Sequence, residues 1–298
     1  ARMEGMPAHL SIHAGGVLIS EAPLYNYTAL QIPPKGFPMV QFSMLEAEDI
    51  GLYKFDILSQ RGLGHIRDAM EMVAEQKGIE VPIHDTETLK KDPKVRAQLQ
   101  AGQTMGCFYI ESPAMRMLLK RLKASEYKDL VAASSIIRPG VARSGMMRAY
   151  IERFRDPEKV QHLHPKMGEL MADTFGIMVY QEDVIKVAHH FAGLDLAEAD
   201  VLRRGMSGKF RSREAFQKIK NRFFDCCRQK GYAEQVTQTV WDQIESFAGY
   251  SFSKAHSASY AVESYQSLYL KAHYPLEFIT AVINNFGGFY RTEIYLHE

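Results

Sequence analysis

Gly51-Leu52-Tyr53-Lys54-Phe55-Asp56-Ile57-Leu58 carries one charged pair inside an otherwise apolar run of β-forming residues, and it reads as a buried strand. Side chains two apart share a strand face, so Lys54 and Asp56 fall on the same side. A carboxylate there is costly unless something pairs with it, either Lys54 or a metal ion. On spacing alone, a same-face ion pair at a strand end is the more ordinary explanation, with a metal ligand as the alternative. Before this strand the chain patterns as sheet; after it, almost everything patterns as helix. The expected fold is α+β, predominantly α, with a boundary near Leu58.

The 298 residues, 46% hydrophobic and 24% charged, suffice for one large core or two domains and have the balance of a soluble globular chain. No apolar run approaches the roughly 18 residues of a membrane span, and the N-terminus lacks a basic-apolar-small leader pattern. The chain reads as cytoplasmic with no membrane partner. Because it opens on Ala1 with patterned sequence at once, it also reads as cut from a longer polypeptide. Cys107, Cys226 and Cys227 are too few and too poorly spaced for a zinc site, and read as reduced and structural. His162-Leu163-His164 and His189-His190 lack the i,i+4 pairing and nearby carboxylate of a recognisable metal motif.

A net charge of +1 conceals an uneven distribution: residues 1–58 sum to −3 and the remainder to +4. From Arg203 to Lys230 there are ten basic residues against only Glu214 and Asp225. Such a run is a solvated helical face or a phosphate-binding surface.

In chain order, Gly15-Gly16 permits a bulge or a close backbone approach before a short apolar strand. Pro23, Pro33, Pro34 and Pro38 break a loop-rich stretch, and Met39 to Ser43 reads as another short strand. Leu63, Ile66, Ala69, Met70 and Val73 then recur at helical spacing, closed by Lys77-Gly78. Asp92-Pro93, Ser112-Pro113 and Ser125-Glu126 are helix starts, with ends near Gly102, Lys123 and Ser135. Ser144 reads as the cap of a helix to about Arg153. Longer helices follow over residues 165–173, 180–192, 195–206, 212–230, 233–248, 253–273 and 275–286. No internal repeat or low-complexity segment interrupts them.

Two constellations carry potential chemistry. Arg203 and Arg204 precede a glycine-bearing turn, Gly205-Met206-Ser207-Gly208, and Lys209. Three cations beside a flexible loop suit a triphosphate, since Arg offers a planar fork to phosphate oxygens and Lys a point charge. Arginines complementing a helix C-terminal dipole would look the same. Further on, His256, Tyr260, Ser264, Ser267 and Lys271 form a polar stripe at helical spacing beside Ala258 and Ala261. Such a stripe suits a base and sugar lying against it, and purely structural helices also carry one.

Six segments stand in a recognisable order. They are His9-Leu-Ser-Ile-His-Ala-Gly-Gly16, Leu52-Tyr-Lys-Phe-Asp-Ile57, Arg138-Pro-Gly140 with Ser144-Gly-Met146, Val179-Tyr-Gln-Glu182, Ala199-Asp-Val-Leu-Arg-Arg204, and Phe247-Ala-Gly-Tyr250 through His256. Over essentially the whole chain the sequence resembles the α (catalytic) subunits of bacterial DNA polymerase III, the C-family DNA polymerases. Each segment alone is weak; six in order are specific.

The resemblance implies that residues 1–58 close a palm of the polymerase β-like nucleotidyltransferase type and residues 59–298 form a helical fingers domain. It implies template-directed DNA synthesis, a phosphoryl transfer from dNTP to a primer 3′-hydroxyl by two Mg²⁺ ions. Asp56 matches the third metal-binding aspartate, with Lys54 beside it, and the other two are expected in an Asp-x-Asp pair upstream of Ala1. Arg203, Arg204 and Lys209 would meet the incoming dNTP triphosphate, and His256 and Tyr260 its sugar and base. Primer-template DNA and other replicase subunits are the implied partners, and the fragment alone is expected to be inactive. Where relatives commonly have Arg-Pro-Gly-Pro, Leu-Arg-Arg-Ala-Met-Gly-Lys-Lys and Phe-Asn-Lys-Ser-His, this chain has Val141 after Gly140, Gly205 to Phe210, and Ser253-Lys254-Ala255-His256. These departures leave open a specialised error-prone paralogue, and a non-catalytic nucleic-acid-binding module is the reading from another class.

Overall fold

The strand expected around Asp56 is present as β4 (Tyr53–Asp56), paired antiparallel with β1 (Gly16–Ile19) in the register Gly16↔Asp56, Val17↔Phe55, Leu18↔Lys54 and Ile19↔Tyr53. The computed structural model describes residues 11–13, 15–57, 60–137, 145–206, 213–246 and 253–298. Of these residues helix accounts for 64% and strand for 5%, in line with an α+β chain that is predominantly α. It divides into two compact units, residues 1–61 and 62–298.

In the first unit a second two-stranded ribbon joins β2 (Leu30–Gln31) to β3 (Met39–Val40). The strand expected to run to Ser43 stops early because Ser43 caps a short helix, α1 (Met44–Asp49). Its hydroxyl accepts from the Glu46 N–H, and the Glu46 carboxylate accepts from the Ser43 N–H at 2.7 Å, a reciprocal capping box. The expectation that the central strand is buried is corrected. Tyr53 and Phe55 are 64% and 54% exposed, and Ala47 and Leu52 are the buried hydrophobics of this unit's described residues. Among those residues β4 pairs with β1 alone, and a two-stranded ribbon buries little of its own side-chain surface.

The second unit is helical: α2 (Arg61–Lys77, whose first residue closes the first unit), α3 (Thr86–Lys91), α4 (Pro93–Ala101), α5 (Pro113–Leu122), α6 (Tyr127–Ile136), α7 (Met146–Arg155), α8 (Pro165–Leu170), α9 (Gln181–Lys186), α10 (Leu196–Met206), α11 (Arg213–Gln229), α12 (Glu234–Ser246), α13 (Lys254–His273), α14 (Pro275–Asn284) and α15 (Thr292–His297). The caps read from sequence hold the starts. Asp92 accepts from the N–H groups of Lys94 and Val95 at 2.9 and 3.0 Å, and Ser112 from that of Met115 at 3.3 Å. Gly102, at φ 61°, ends α4, and a Cβ there would also meet the Arg116 carbonyl oxygen at 2.6 Å. The six-residue helices α1, α3 and α15 escape periodicity because so short a segment shows no repeat. The helix expected over 180–192 changes pitch, with α9 continuing as a π-helical turn, Val187–Ala192. The helix starts proposed at Ser144 and Ser212, and the segments 138–144, 207–212 and 247–252, lie outside the described residues.

The 20-residue α13 is the centre of the larger unit, packing against α3, α4, α6 and α14. Its small residues Ser257, Ala261 and Ser264 are buried together with Tyr265 and Leu268, so neighbouring backbones approach closely. A second cluster gathers Phe216, Phe223 and Phe224 around Trp241, whose Nε1–H donates to Glu245 at 2.6 Å. The three cysteines are free and buried; burial pushes Cys107 up to about 12 and Cys227 up to about 11, which leaves both thiols protonated and inert. His164 Nδ1 accepts the Lys166 N–H at 3.1 Å as the cap of α8, and His189 Nδ1 lies 2.7 Å from the Leu194 carbonyl oxygen. No helix of the described residues is long and apolar enough to cross a membrane.

Candidate functional site

In the first unit the β1–β4 register brings Asp56 opposite Gly16. Lys54 and Asp56 share a face, as alternation requires, and Lys54 Nζ donates to both carboxylate oxygens at 2.5 and 2.7 Å. His13, to which the sequence pattern assigns no role, joins them. Its Nδ1 accepts the N–H groups of Gly15 and Gly16 at 3.1 and 2.6 Å and lies 3.9 Å from Asp56 Oδ1. Gly16 is the close approach that the Gly-Gly pair allowed for: a Cβ there would meet His13 Nδ1 at 2.9 Å and Lys54 Cε at 3.1 Å. Mg²⁺ takes an octahedron of oxygen ligands. Asp56 supplies one carboxylate, already engaged by Lys54, and among the described residues no group of three His, Cys, Asp or Glu could hold a metal. These residues fit one ligand of a two-metal site and do not complete it.

In the second unit Arg203 and Arg204 lie in the last turn of α10. Asp200, one turn earlier, holds both. Its Oδ1 accepts from Arg203 Nε and Nη2 at 2.9 and 2.8 Å, and its Oδ2 accepts from Arg204 Nε at 2.9 Å. Arg203 Nη1 also donates to Gln181 Oε1 at 3.4 Å. The Arg204 side chain is 61% exposed against 29% for Arg203, so Arg204 is the more accessible to an anion and Arg203 the more tightly held. Lys209, the third cation expected here, lies outside the described residues.

One residue beyond Gln181, Glu182 is bonded to the start of α13. Its carboxylate accepts the Lys254 N–H at 3.1 Å (Oε1) and 2.9 Å (Oε2), and the Ser253 hydroxyl donates to Oε1 at 2.9 Å. Next in line, Asp183 is buried and accepts the N–H groups of Val179 and Tyr180, both at 2.9 Å. Its pKa is nonetheless raised, because burial outweighs those bonds. Consecutive side chains of α9 thus hold Arg203 and the first turn of the helix bearing His256 and Tyr260.

The polar stripe on α13 divides in two. His256 is exposed, with its ring 4.8 Å from that of Tyr260, which packs edge-on against Phe108 and Tyr109 at 5.3 and 4.9 Å. Ser264, Ser267 and Lys271 are buried, so the reading of the whole stripe as a ligand face is corrected for these three. Ser264 donates to the Phe108 carbonyl at 2.9 Å and Lys271 to the Met105 carbonyl at 2.9 Å. With the Thr104 hydroxyl bonded to the Ile110 carbonyl at 2.6 Å, they fix the turn that presents Phe108 and Tyr109, the latter at φ 65°. Asp200, Gln181 and Glu182 carry no assigned role in the sequence reading although they sit inside the family-like segments; their place there was the available signal.

Known proteins give this geometry its context. Residues 62–231 match the family described as bacterial DNA polymerase III alpha subunit finger domain, and residues 1–59 match that described as bacterial DNA polymerase III alpha NTPase domain. The DNA polymerase III subunit alpha of Staphylococcus aureus (strain COL) is 38% identical over 287 residues, covering 96% of this chain and 26% of that protein. That of Aquifex aeolicus (strain VF5) is 36% identical over 277 residues, covering 93% of this chain and 24% of that protein. The chain therefore spans about a quarter of the length of the curated relatives it matches. With the finger-domain family covering the arginine pair and the Gln181–Glu182 turn, the chain belongs to the bacterial DNA polymerase III α-subunit family.

Proposed function

We propose that this chain is the closing part of a palm, residues 1–58, followed by the fingers, residues 59–298, of an enzyme performing template-directed DNA synthesis on a primer-template in the cytoplasm with other replicase subunits. In this reading Arg203, Arg204 and Lys209 bind the dNTP triphosphate, while His256 and Tyr260 contact its sugar and base. Asp56 contributes one carboxylate ligand to a Mg²⁺ pair, and Lys54 holds that carboxylate in place. The metal, when bound, would neutralise charge developing on the transferred phosphoryl group.

The observation that carries the reading is the convergence of Arg203 and the first turn of α13 on Gln181 and Glu182. A nucleotide has its charge at one end and its planar groups at the other, so groups of both kinds must be held at fixed separation. Asp200 keeps the guanidinium forks oriented until an anion competes for them. The test is primer extension by the intact polymerase. Arg203→Ala and Arg204→Ala should raise KM for dNTP, and Asp56→Ala should abolish turnover. Unimpaired turnover in Asp56→Ala would overturn the metal assignment, and absence of turnover in the unsubstituted protein would favour a nucleic-acid-binding module without this chemistry.

A further inference from the structure

We propose that Glu182 is a positioning residue of the nucleotide site, setting the place of His256 and Tyr260 relative to Arg203. The proposal rests on the reading of those residues as nucleotide-binding groups. The first N–H groups of any helix lack intrahelical partners, and a side chain just before the helix ordinarily takes one of them. α13 does not follow this pattern. Its N-cap Ser253 makes no capping bond to its own helix and donates its hydroxyl to Glu182 instead. The cap therefore comes from α9, and a full negative charge faces the positive end of a 20-residue helix dipole.

The residue that supplies this cap is itself fixed. Asp183 locks the turn through two backbone bonds, Tyr180 is buried, and Lys254 Nζ sits 5.2 Å from the centre of the Tyr180 ring. On the same turn Gln181 holds Arg203. A shift of α13 along its axis moves His256 and Tyr260 while Arg203 stays with α9. Glu182 is the bond that ties the N-terminus of α13 to α9 against that shift, while Ser264 and Lys271 tie the rest of the helix to the Phe108 and Met105 carbonyls.

The experiment is steady-state primer extension by the intact polymerase with dNTP varied, on Glu182→Gln, Glu182→Ala, Ser253→Ala, Arg203→Ala and the double variant Glu182→Gln/Arg203→Ala. Glu182→Gln keeps the shape and one acceptor oxygen, and should raise KM for dNTP about tenfold, the scale of coupling between side chains in one network. Primer-template affinity should change much less. Ser253→Ala, which leaves the Lys254 N–H bonded, should have a smaller effect, and the double variant should be scarcely worse than Arg203→Ala alone. A raised KM in Arg203→Ala beside an unchanged KM in Glu182→Gln, or strictly additive effects, overturns the positioning role. That role is equally overturned if Glu182→Gln loses active enzyme without a change in KM, the signature of a cap that serves folding only. If Arg203→Ala also leaves KM unchanged, the nucleotide-site reading itself falls. Should Glu182→Ala not fold, the near-isosteric Gln variant carries the test.

Discussion

Glu182 closes the N-terminus of α13 from a different helix: both of its carboxylate oxygens accept the backbone N–H of Lys254, 72 residues away in sequence. Hydrogen bonds to a charged acceptor contribute about 1.5–3 kcal/mol. Glu182→Ala, which removes the acceptor of both the Lys254 N–H and the Ser253 hydroxyl, should therefore lower the unfolding free energy of this chain by at least about that much, whereas Ser253→Ala, which removes one of those bonds and leaves the Lys254 N–H paired, should cost less. Urea unfolding followed by circular dichroism measures both. Equal losses would contradict the assignment of the cap to the carboxylate.

For the arginine pair the expected effect is on nucleotide binding. Arg204 is the more exposed of the two, and loss of a charge-assisted phosphate contact corresponds to about 1.5–3 kcal/mol, roughly tenfold to a hundredfold in KM. In the intact enzyme Arg204→Lys should recover only part of this, since a point charge replaces a planar fork. Full recovery by Lys would show that charge alone matters there.

Gly62, in the first turn of α2, has no room for a side chain. A Cβ would meet Phe108 Cδ2 at 2.5 Å and would press on Glu263 Oε1. Gly62→Ala should destabilise the helical unit by about 1–3 kcal/mol through overpacking, despite the better helix propensity of Ala. A thermal midpoint equal to or above that of the parent chain would refute the contact.

Glu263, half-buried on α13, has its pKa pushed up to about 7 by burial. A carboxyl group whose folded pKa exceeds its ordinary 4.5 contributes stability that is fully present below that value and is lost as pH rises through the folded value. Stability should therefore fall between about pH 4.5 and pH 7 through this group. Glu263→Gln should flatten that part of the profile and stabilise the protein at neutral pH. Unfolding midpoints across the range check it, and a parent profile that rises there together with an unchanged variant profile would exclude the effect.

Primer extension by this chain alone should be undetectable. Two Mg²⁺ ions need several carboxylate oxygens in one place, and the described residues bring Asp56 without a cluster of further metal ligands. DNA binding through the basic residues of α10 and α11 should be weak and should fall steeply with salt. Extension by the purified chain that survives Asp56→Ala would overturn the metal assignment.

What the residues determined by themselves is what neighbours along the chain determine. Lys54 and Asp56 share a face because a strand alternates, and α4 and α5 start at Asp92 and Ser112 because a capping oxygen and a following proline act within one turn. The family segments marked where chemistry would lie, and the arginine pair is present on α10 as expected. Only the tertiary structure decided which half of the α13 stripe faces outward. Ser264 and Lys271 are consumed by the carbonyls of Phe108 and Met105, more than 150 residues away. It also decided that the central strand is exposed, since burial depends on a covering layer that strand alternation does not specify. Glu182 shows the limit most directly. A carboxylate in the first turn of α9 looks like an ordinary acid at a helix start, and becomes the cap of another helix only when packing brings an unsatisfied N–H within 3 Å of it.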